Sequence, residues 1–181
     1  KCVYEKASEV KGDFRVRNLK YLFGKKIKET IHKENGCVFK IDVTKTFFTP
    51  RLVYERNRIS NLHFKDKEII FDMFAGVGPF SIQIAKNHNV RVHAFDINPV
   101  AYSYLKENIK INILVGEIFP YNLDVGKLRH NQNKYRTQFE QSADRIIMNL
   151  PEKSLDYLDV ACLLMKKSGA TLHIYQFCET P

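Results

Sequence analysis

Tryptophan is absent from this sequence, and no hydrophobic run approaches the roughly 18 residues that a membrane-spanning helix needs. Cysteine is scarce, since Cys2, Cys37, Cys162 and Cys178 are far apart and form no Cys-x-x-Cys pair. We therefore expect no zinc or other metal site, and we expect a reducing, cytoplasmic compartment. The N-terminus lacks the layout of a secretory signal. Because the chain begins with lysine rather than methionine, we expect it to be a piece of a longer protein.

Positive charge is concentrated in the first third of the chain. Residues 1–66 contain 16 Lys and Arg against 8 Asp and Glu, whereas residues 67–181 contain 13 against 12. An excess confined to one segment indicates a polyanionic partner, most commonly nucleic acid, although a solvated basic surface is the alternative. We expect two domains, a small basic RNA-binding and catalytic-support module at 1–66 and a cofactor-binding domain at 67–181.

The basic module is expected to contain both strands and a helix. The Glu-Asn-Gly at 34–36 predicts a hairpin turn between a strand at 30–33 and a strand over 40–48, which is rich in β-branched and aromatic residues. Pro50 would end the second strand, and residues 52–62 have helical spacing.

From residue 67 onward, predicted strands and helices alternate, which is typical of a doubly wound parallel sheet of the Rossmann-like α/β class. Asn98 is placed to cap one of the helices, with Pro99 at its first position. The polar segment 126–142 favours a mobile surface insertion, with an RNA-contacting loop as the alternative. The predicted strands cover 68–74, 90–96, 117–124, 143–151 and 171–177, and a helix over 154–169 has an apolar face of Leu155, Leu158, Cys162 and Met165.

Candidate cofactor-binding residues follow the predicted strands, because ligands of open α/β sheets bind at the carboxyl ends of the strands. Gly76 and Gly78 form a Gly-x-Gly turn after the first strand, and Asp96 ends the second, where a carboxylate can accept hydrogen bonds from ribose hydroxyls. This much also fits NAD, but the third glycine of G-x-G-x-x-G is missing. The cationic S-adenosylmethionine favours further carboxylates, so Asp72 could hold the turn or the cationic tail, and Asp124 could bind the adenine amino group.

Asn149, Leu150 and Pro151 end the fourth predicted strand. Methyltransferases that modify amino groups of bases often have Asn or Asp, two prolines and an aromatic residue at this place. Here Leu150 replaces the first proline and Glu152 replaces the aromatic residue. The amide of Asn149 can offer both a donor and an acceptor to the edge of a target base.

Six motifs together resemble the tRNA guanine-37 N1-methyltransferases, particularly the archaeal type: FRVRNLK, HKENGCVFKIDV, FFTPRLVYER, DMFAGVGPFSI, FDINP and IMNLP. The resemblance runs from about residue 12 to about residue 177. It implies S-adenosylmethionine as the cofactor, 1-methylguanosine next to the anticodon as the product, and the tRNA anticodon stem-loop as the partner of a monomer. It also implies that this chain lacks an N-terminal domain that grips the outer corner of tRNA and further strands after residue 177.

The resemblance assigns roles to individual side chains. Glu55 matches the proposed general base, which would accept the proton of guanine N1, and Arg15 matches the arginine that supports the guanine oxygen. Asn149 and Pro151 would lie against the target guanine. The remaining matches line the cofactor site: Phe47, Phe74, Asp96, Ile97, Asn98 and Asp124.

Two other functions stay open. One is the related wybutosine-pathway transferase, which moves an aminocarboxypropyl group from the same cofactor, although the segment TPRLVYER favours methyl transfer. The other is a non-catalytic RNA-binding module with a relict cofactor fold. An RNA cytosine C5-methyltransferase is disfavoured because its cysteine nucleophile has no counterpart near Asn149.

Overall fold

The computed structural model describes residues 1–9 and 12–178. The first third forms two antiparallel hairpins followed by a helix. These elements are β1 (Cys2–Lys6), β2 (Leu19–Gly24), β3 (Glu29–Glu34), β4 (Cys37–Asp42) and, after a short 3-10 turn, α1 (Val53–Ser60).

The rest of the described chain forms a five-stranded parallel sheet of order β7-β6-β5-β8-β9. The strand order reverses beside β5, which creates the switch point where such sheets bind ligands. The predicted Rossmann-like α/β class is therefore confirmed. Within the described residues, no helix combines the length and the apolar character needed to cross a membrane. The elements are β5 (Glu68–Asp72), α2 (Pro79–Asn87), β6 (Val90–Asp96), α3 (Pro99–Ile111), β7 (Glu117–Asn122), α4 (Arg136–Phe139), β8 (Arg145–Met148), α5 (Leu158–Leu164) and β9 (Thr171–Ile174).

The predicted hairpin turn is confirmed, but the strand after it is shorter than expected. Asn35 and Gly36 have φ of +46° and +71°, as a two-residue hairpin turn with left-handed residues requires. The strand begins at Cys37 and ends at Asp42, not at residue 48. The Asp42 carboxylate accepts hydrogen bonds from the backbone N–H and the hydroxyl of Thr44, at 2.8 and 2.7 Å, and this local turn ends the strand.

The start of α3 matches the prediction and connects the sheet to the basic module. The Asn98 side chain accepts a hydrogen bond from the Val100 N–H at 3.0 Å, and Pro99 is the first helical residue. The same side chain donates to the carbonyl of Lys45 at 2.8 Å. The loop that carries Phe47 is thus fixed against the end of β6.

The hairpin of β3 and β4 and the helix α1 share a hydrophobic core with the parallel sheet. Phe39, Ile41 and Ile59 are buried in one hydrophobic cluster with Ile70 of β5 and Leu105 of α3. At the polar centre of this contact, the buried guanidinium of Arg56 binds Glu34, with Nη2 2.7 Å from Oε2. Because an unpaired buried charge is costly, this pair fixes the position of α1 against the hairpin of β3 and β4.

Two segments on the other face of the sheet differ in part from the sequence expectation. Segment 126–142 lies mostly at the surface, as expected of an insertion, but it is anchored, since Leu128 and Phe139 are fully buried and the Phe139 ring packs edge-on against Phe71 at 5.3 Å. In α5, Cys162 is exposed instead of lying on the apolar face, and the buried side chains are Val160, Ala161 and Leu164. A 3-10 turn over 154–157 precedes α5, and its tighter period shifts the helical phase.

Candidate active site

A cavity opens at the carboxyl ends of β5, β6 and β8, where the strand order reverses. We call it the active-site cavity. Its wall combines the turns after these strands with loops from residues 1–66. Most of the predicted site residues lie on this wall: Arg15, Phe47, Phe74, Gly76, Asp96, Ile97, Asn98, Asp124 and Asn149.

The Asp96 carboxylate is fixed at the end of β6 by two backbone N–H groups. Gly76 donates to its Oδ2 at 2.7 Å, and Asn98 donates to its Oδ1 at 2.8 Å. Gly76 has a φ of +57°, which glycine adopts without strain and which turns its N–H toward the carboxylate. Burial raises the pKa of Asp96 to about 6, and the two backbone hydrogen bonds oppose that shift. Each oxygen retains accepting capacity toward the cavity.

Gly78 and Asp72 support the glycine turn from behind and do not line the cavity. A Cβ on Gly78 would lie 2.5 Å from Leu105 Cδ1 and force that side chain to shift, and the φ of +91° at Gly78 is itself a conformation that favours glycine. The buried Asp72 accepts a hydrogen bond from the Ser81 hydroxyl at 2.7 Å. Burial raises the pKa of Asp72 to about 7. The sequence suggested that Asp72 holds either the turn or the cationic tail of the cofactor, and these contacts correspond to holding the turn.

A second part of the wall is formed after β7. The Asp124 carboxylate accepts the Gly126 N–H at 2.9 Å and caps the following 3-10 turn. The Phe74 ring packs edge-on against Tyr157, with ring centroids 5.0 Å apart. Tyr157 was not predicted from the sequence, because the motif places its aromatic residue at position 152. In the structure, the aromatic side chain on this part of the wall is Tyr157, the last residue of the 3-10 turn over 154–157.

Another part of the cavity wall carries Arg15 and Asn149. The Arg15 guanidinium lies 4.6 Å from the centroid of Phe47 and 3.5 Å from the Glu152 carboxylate. Only 13% of the Arg15 side chain is exposed, and burial lowers its pKa. Asn149 Oδ1 is buried without a hydrogen-bond partner among the described residues. Such an unpaired acceptor beside a cavity is suited to binding a ligand donor.

The loop after β8 is held by a residue that the sequence did not indicate. The fully buried Ser154 hydroxyl accepts the Leu150 N–H at 3.2 Å and lies 3.0 Å from the carbonyl oxygen of Met148. Pro151 lies outside the cavity wall, and its carbonyl accepts the Phe177 N–H at 3.0 Å. Pro151 therefore shapes the loop from outside the wall.

Glu55, the predicted general base, is not part of the cavity wall formed by the described residues, although Leu52 and Arg56 of the same segment are. Its carboxylate accepts hydrogen bonds from Arg58 at 2.6 and 2.7 Å and from the Tyr175 hydroxyl at 2.7 Å. The hydrogen bonds from Arg58 are the main reason that the pKa of Glu55 is lowered. In this arrangement the carboxylate is ionised but occupied by two donors.

Residues 30–180 match the family model described as the TRM5/TYW2 methyltransferase domain. The chain is 44% identical to the tRNA (guanine(37)-N(1))-methyltransferase Trm5b of Pyrococcus abyssi, over 98% of this chain and 49% of that protein. It is 36% identical to the tRNA(Phe) (4-demethylwyosine(37)-C(7)) aminocarboxypropyltransferase of Methanocaldococcus jannaschii, over 97% of this chain and 66% of that protein.

Among solved structures, the complex of aTrm5 and tRNALeu superposes with a TM-score of 0.78 at 42% identity, covering 93% of this chain and 46% of that one. The chain thus spans about half the length of the guanine-37 relatives that it matches.

Proposed function

The chain belongs to the TRM5/TYW2 methyltransferase family, and we propose that it transfers the methyl group of S-adenosylmethionine to N1 of guanosine 37 in tRNA. The observation that carries this choice within the family is the closer similarity to two archaeal guanine-37 enzymes of the Trm5b type, at 44% and 41% identity, than to the archaeal aminocarboxypropyltransferase, at 36%. The active-site cavity supports it, because its wall carries both fixed carboxylates and the partly buried Arg15.

We propose that the cofactor occupies the end of the cavity beside β6 and β7. Asp96 would accept hydrogen bonds from the ribose hydroxyls and Asp124 from the adenine amino group. The fit is supported by Gly76, where a Cβ would meet only the Phe47 carbonyl oxygen, at 3.8 Å, so the turn leaves room for a ligand. The cofactor supplies an electrophilic methyl group bound to a sulfonium.

At the other end, the residues handle the charge of the target guanine. Guanine N1 carries a proton at neutral pH, and a carboxylate can accept that proton so that N1 becomes nucleophilic. We propose Glu55 for this role, Arg15 to stabilise the charge that builds on the guanine oxygen, and Asn149 to hold the base edge. Arg58 is 58% exposed, so an RNA phosphate can draw it away and free the Glu55 carboxylate.

We propose that residues 1–66 form an RNA-binding and catalytic-support module and that residues 67–181 form the cofactor-binding domain. The excess of basic residues in the first segment supports contact with the anticodon stem-loop, since phosphate contacts dominate affinity for nucleic acids. All four cysteines are free, as in proteins of a reducing compartment such as the cytoplasm.

The test is to incubate the protein with S-adenosylmethionine and an unmodified tRNA transcript, digest the RNA and identify the modified nucleoside by mass spectrometry. The expected product is 1-methylguanosine, and a transcript with adenosine at position 37 should give none. An aminocarboxypropyl adduct would instead assign the chain to the reaction of its second relative. Cofactor binding without any product would contradict the proposal.

A further inference from the structure

The two oxygens of the Glu55 carboxylate have different partners. Oε1 accepts hydrogen bonds from Arg58 Nη2 at 2.6 Å and from the Tyr175 hydroxyl at 2.7 Å, whereas Oε2 accepts a hydrogen bond from Arg58 Nε at 2.7 Å. Arg58 is 58% exposed and free to turn toward an RNA phosphate. When Arg58 leaves, the hydrogen bonds that the described residues make to this carboxylate reduce to one, from Tyr175 to Oε1.

Tyr175 is itself held in place by its backbone and by its ring. It follows β9 directly, and its N–H donates to the carbonyl of Met148 at 3.1 Å, one residue before Asn149. Its ring packs against Phe80, with ring centroids 5.5 Å apart. Burial and the hydrogen bond to Glu55 raise the pKa of Tyr175, so the hydroxyl stays protonated and remains a donor. This residue therefore links Glu55 to the end of β8, where Asn149 lies.

These contacts divide the work between the two carboxylate oxygens. Resting on the proposed function, we propose that Tyr175 is a positioning residue, which holds Oε1 of Glu55 so that Oε2 is left to accept the proton of guanine N1. The N1–H bond breaks, the proton moves to Oε2, and the electron pair left on N1 forms the bond to the methyl carbon as the carbon–sulfur bond breaks toward sulfur. A base oriented by a third group is a recurrent arrangement in enzymes, because proton transfer requires close alignment.

Few groups near this pair change charge when the reaction is studied as a function of pH. The groups that face the Glu55 carboxylate are Arg58 on α1 and both His173 and Tyr175 on β9, and Asp72 of β5 is near Tyr175. Burial lowers the pKa of His173 to about 4, so this ring is neutral above pH 5. Burial raises the pKa of Asp72 to about 7, and this carboxyl is present in every variant below. A shift between variants therefore reports on the hydroxyl that was removed.

The test is Tyr175→Phe, which keeps the ring and removes only the hydroxyl. We expect the plateau of the single-turnover rate on a guanosine-37 transcript to fall roughly tenfold to a hundredfold, as for a hydrogen bond to a charged group. The acidic limb of the rate profile should move to higher pH, because the Tyr175 hydroxyl lowers the pKa of Glu55. The matched control is Tyr104→Phe, since the Tyr104 hydroxyl donates to the Glu29 carboxylate. This control should behave like the wild type.

A second variant tests whether Tyr175 acts through Glu55. When Tyr175→Phe is added to Glu55→Ala, the remaining rate should change less than about twofold, since the group that the hydroxyl positions is already absent. A further drop of about tenfold in the double variant would mean that the hydroxyl acts elsewhere, and it would overturn the proposal.

The other outcomes separate the role of Tyr175 from the proposed function. An unchanged plateau in Tyr175→Phe would overturn the positioning role, while methylation by the wild type would leave the proposed function intact. A lower plateau with an unshifted acidic limb and a lower free energy of unfolding would assign the loss to damage and would also overturn the role. Failure of the wild type to methylate the transcript would overturn the proposed function, and the role of Tyr175 with it.

Discussion

The two ends of the active-site cavity are built in different ways. The part proposed to bind the cofactor is built from residues close together in the sequence. Asp96 ends β6 and Asp124 follows β7, and backbone N–H groups of Gly76, Asn98 and Gly126 fix the two carboxylates. The part proposed to bind the target base joins distant segments, because Arg15 meets Glu152 and Glu55 meets Tyr175 through side chains alone. The backbone thus preforms the part proposed to bind the cofactor, whereas the part proposed to bind the target base depends on side-chain contacts that substrate binding can rearrange.

The largest effect is expected from removing the proposed proton acceptor. Glu55→Ala should lower the single-turnover rate roughly 10²–10⁴-fold, the usual contribution of a positioned general base. Cofactor affinity should stay nearly unchanged, because the side chain does not line the cavity wall. Rapid-quench measurements on a guanosine-37 transcript check the rate, and full activity of the variant would remove Glu55 from this role.

At the cofactor end, the packing behind the glycine turn should be sensitive to one added methyl group. Gly78→Ala should lower the free energy of unfolding by about 2–4 kcal/mol, because it combines a left-handed backbone strain with a clash against Leu105. The control is Gly169→Ala, since Gly169 has a φ of +99° but nothing within 4 Å of an added Cβ. Urea denaturation of both variants measures the difference, and equal losses would argue against the packing role of Gly78.

Loss of the carboxylate proposed to bind the ribose should lower cofactor affinity more than the rate of methyl transfer. Asp96→Ala should weaken cofactor binding roughly tenfold to a hundredfold, as for hydrogen bonds to a charged group. The rate at saturating cofactor should change much less, because the target-base end keeps its contacts. Calorimetric titration with the cofactor checks the first part, and unaltered affinity would contradict the assignment of Asp96.

The same carboxylate should make cofactor binding depend on pH. Burial raises the pKa of Asp96 to about 6, so the ionised form that accepts two hydrogen bonds is lost as the pH falls through this value. Affinity should therefore decline from pH 7 to pH 5 in the wild type, with a smaller decline in Asp96→Asn. Titrations across this range provide the measurement, and identical profiles would assign the dependence to another group, such as the buried Asp72.

The smallest effect is expected at the ion pair that holds Glu55. Arg58 lowers the pKa of Glu55, so Arg58→Gln should move the acidic limb of the kcat/KM profile to higher pH. At neutral pH the rate should change less than tenfold, since the carboxylate stays largely ionised. An unshifted acidic limb would mean that Glu55 is not the group whose titration limits the reaction.

The sequence predicted what depends on neighbouring residues. The Asn35-Gly36 turn, the Asn98 cap and the glycine turn after β5 follow from local backbone preferences, and all three are present. The phase of α5 could not be predicted, because a 3-10 turn precedes the helix. The burial of Phe139 was missed because polar residues surround it in the sequence.

Contacts between side chains that are far apart in the sequence could not be predicted either. Tyr175 binds Glu55 from 120 positions away, and no spacing rule connects a strand end to a helix so far upstream. The roles of Glu55 and Arg15 came from resemblance to a family, and the structure adds their present partners, Arg58, Tyr175 and Glu152.

The most direct test asks whether cofactor binding and methyl transfer depend on different residues. It measures cofactor affinity and single-turnover rate side by side for Glu55→Ala and Asp96→Ala. We predict that Glu55→Ala binds the cofactor like the wild type and transfers the methyl group slowly, while Asp96→Ala binds weakly and transfers well once saturated. If both variants lost affinity and rate together, the two ends of the cavity would not act separately and this account would be wrong.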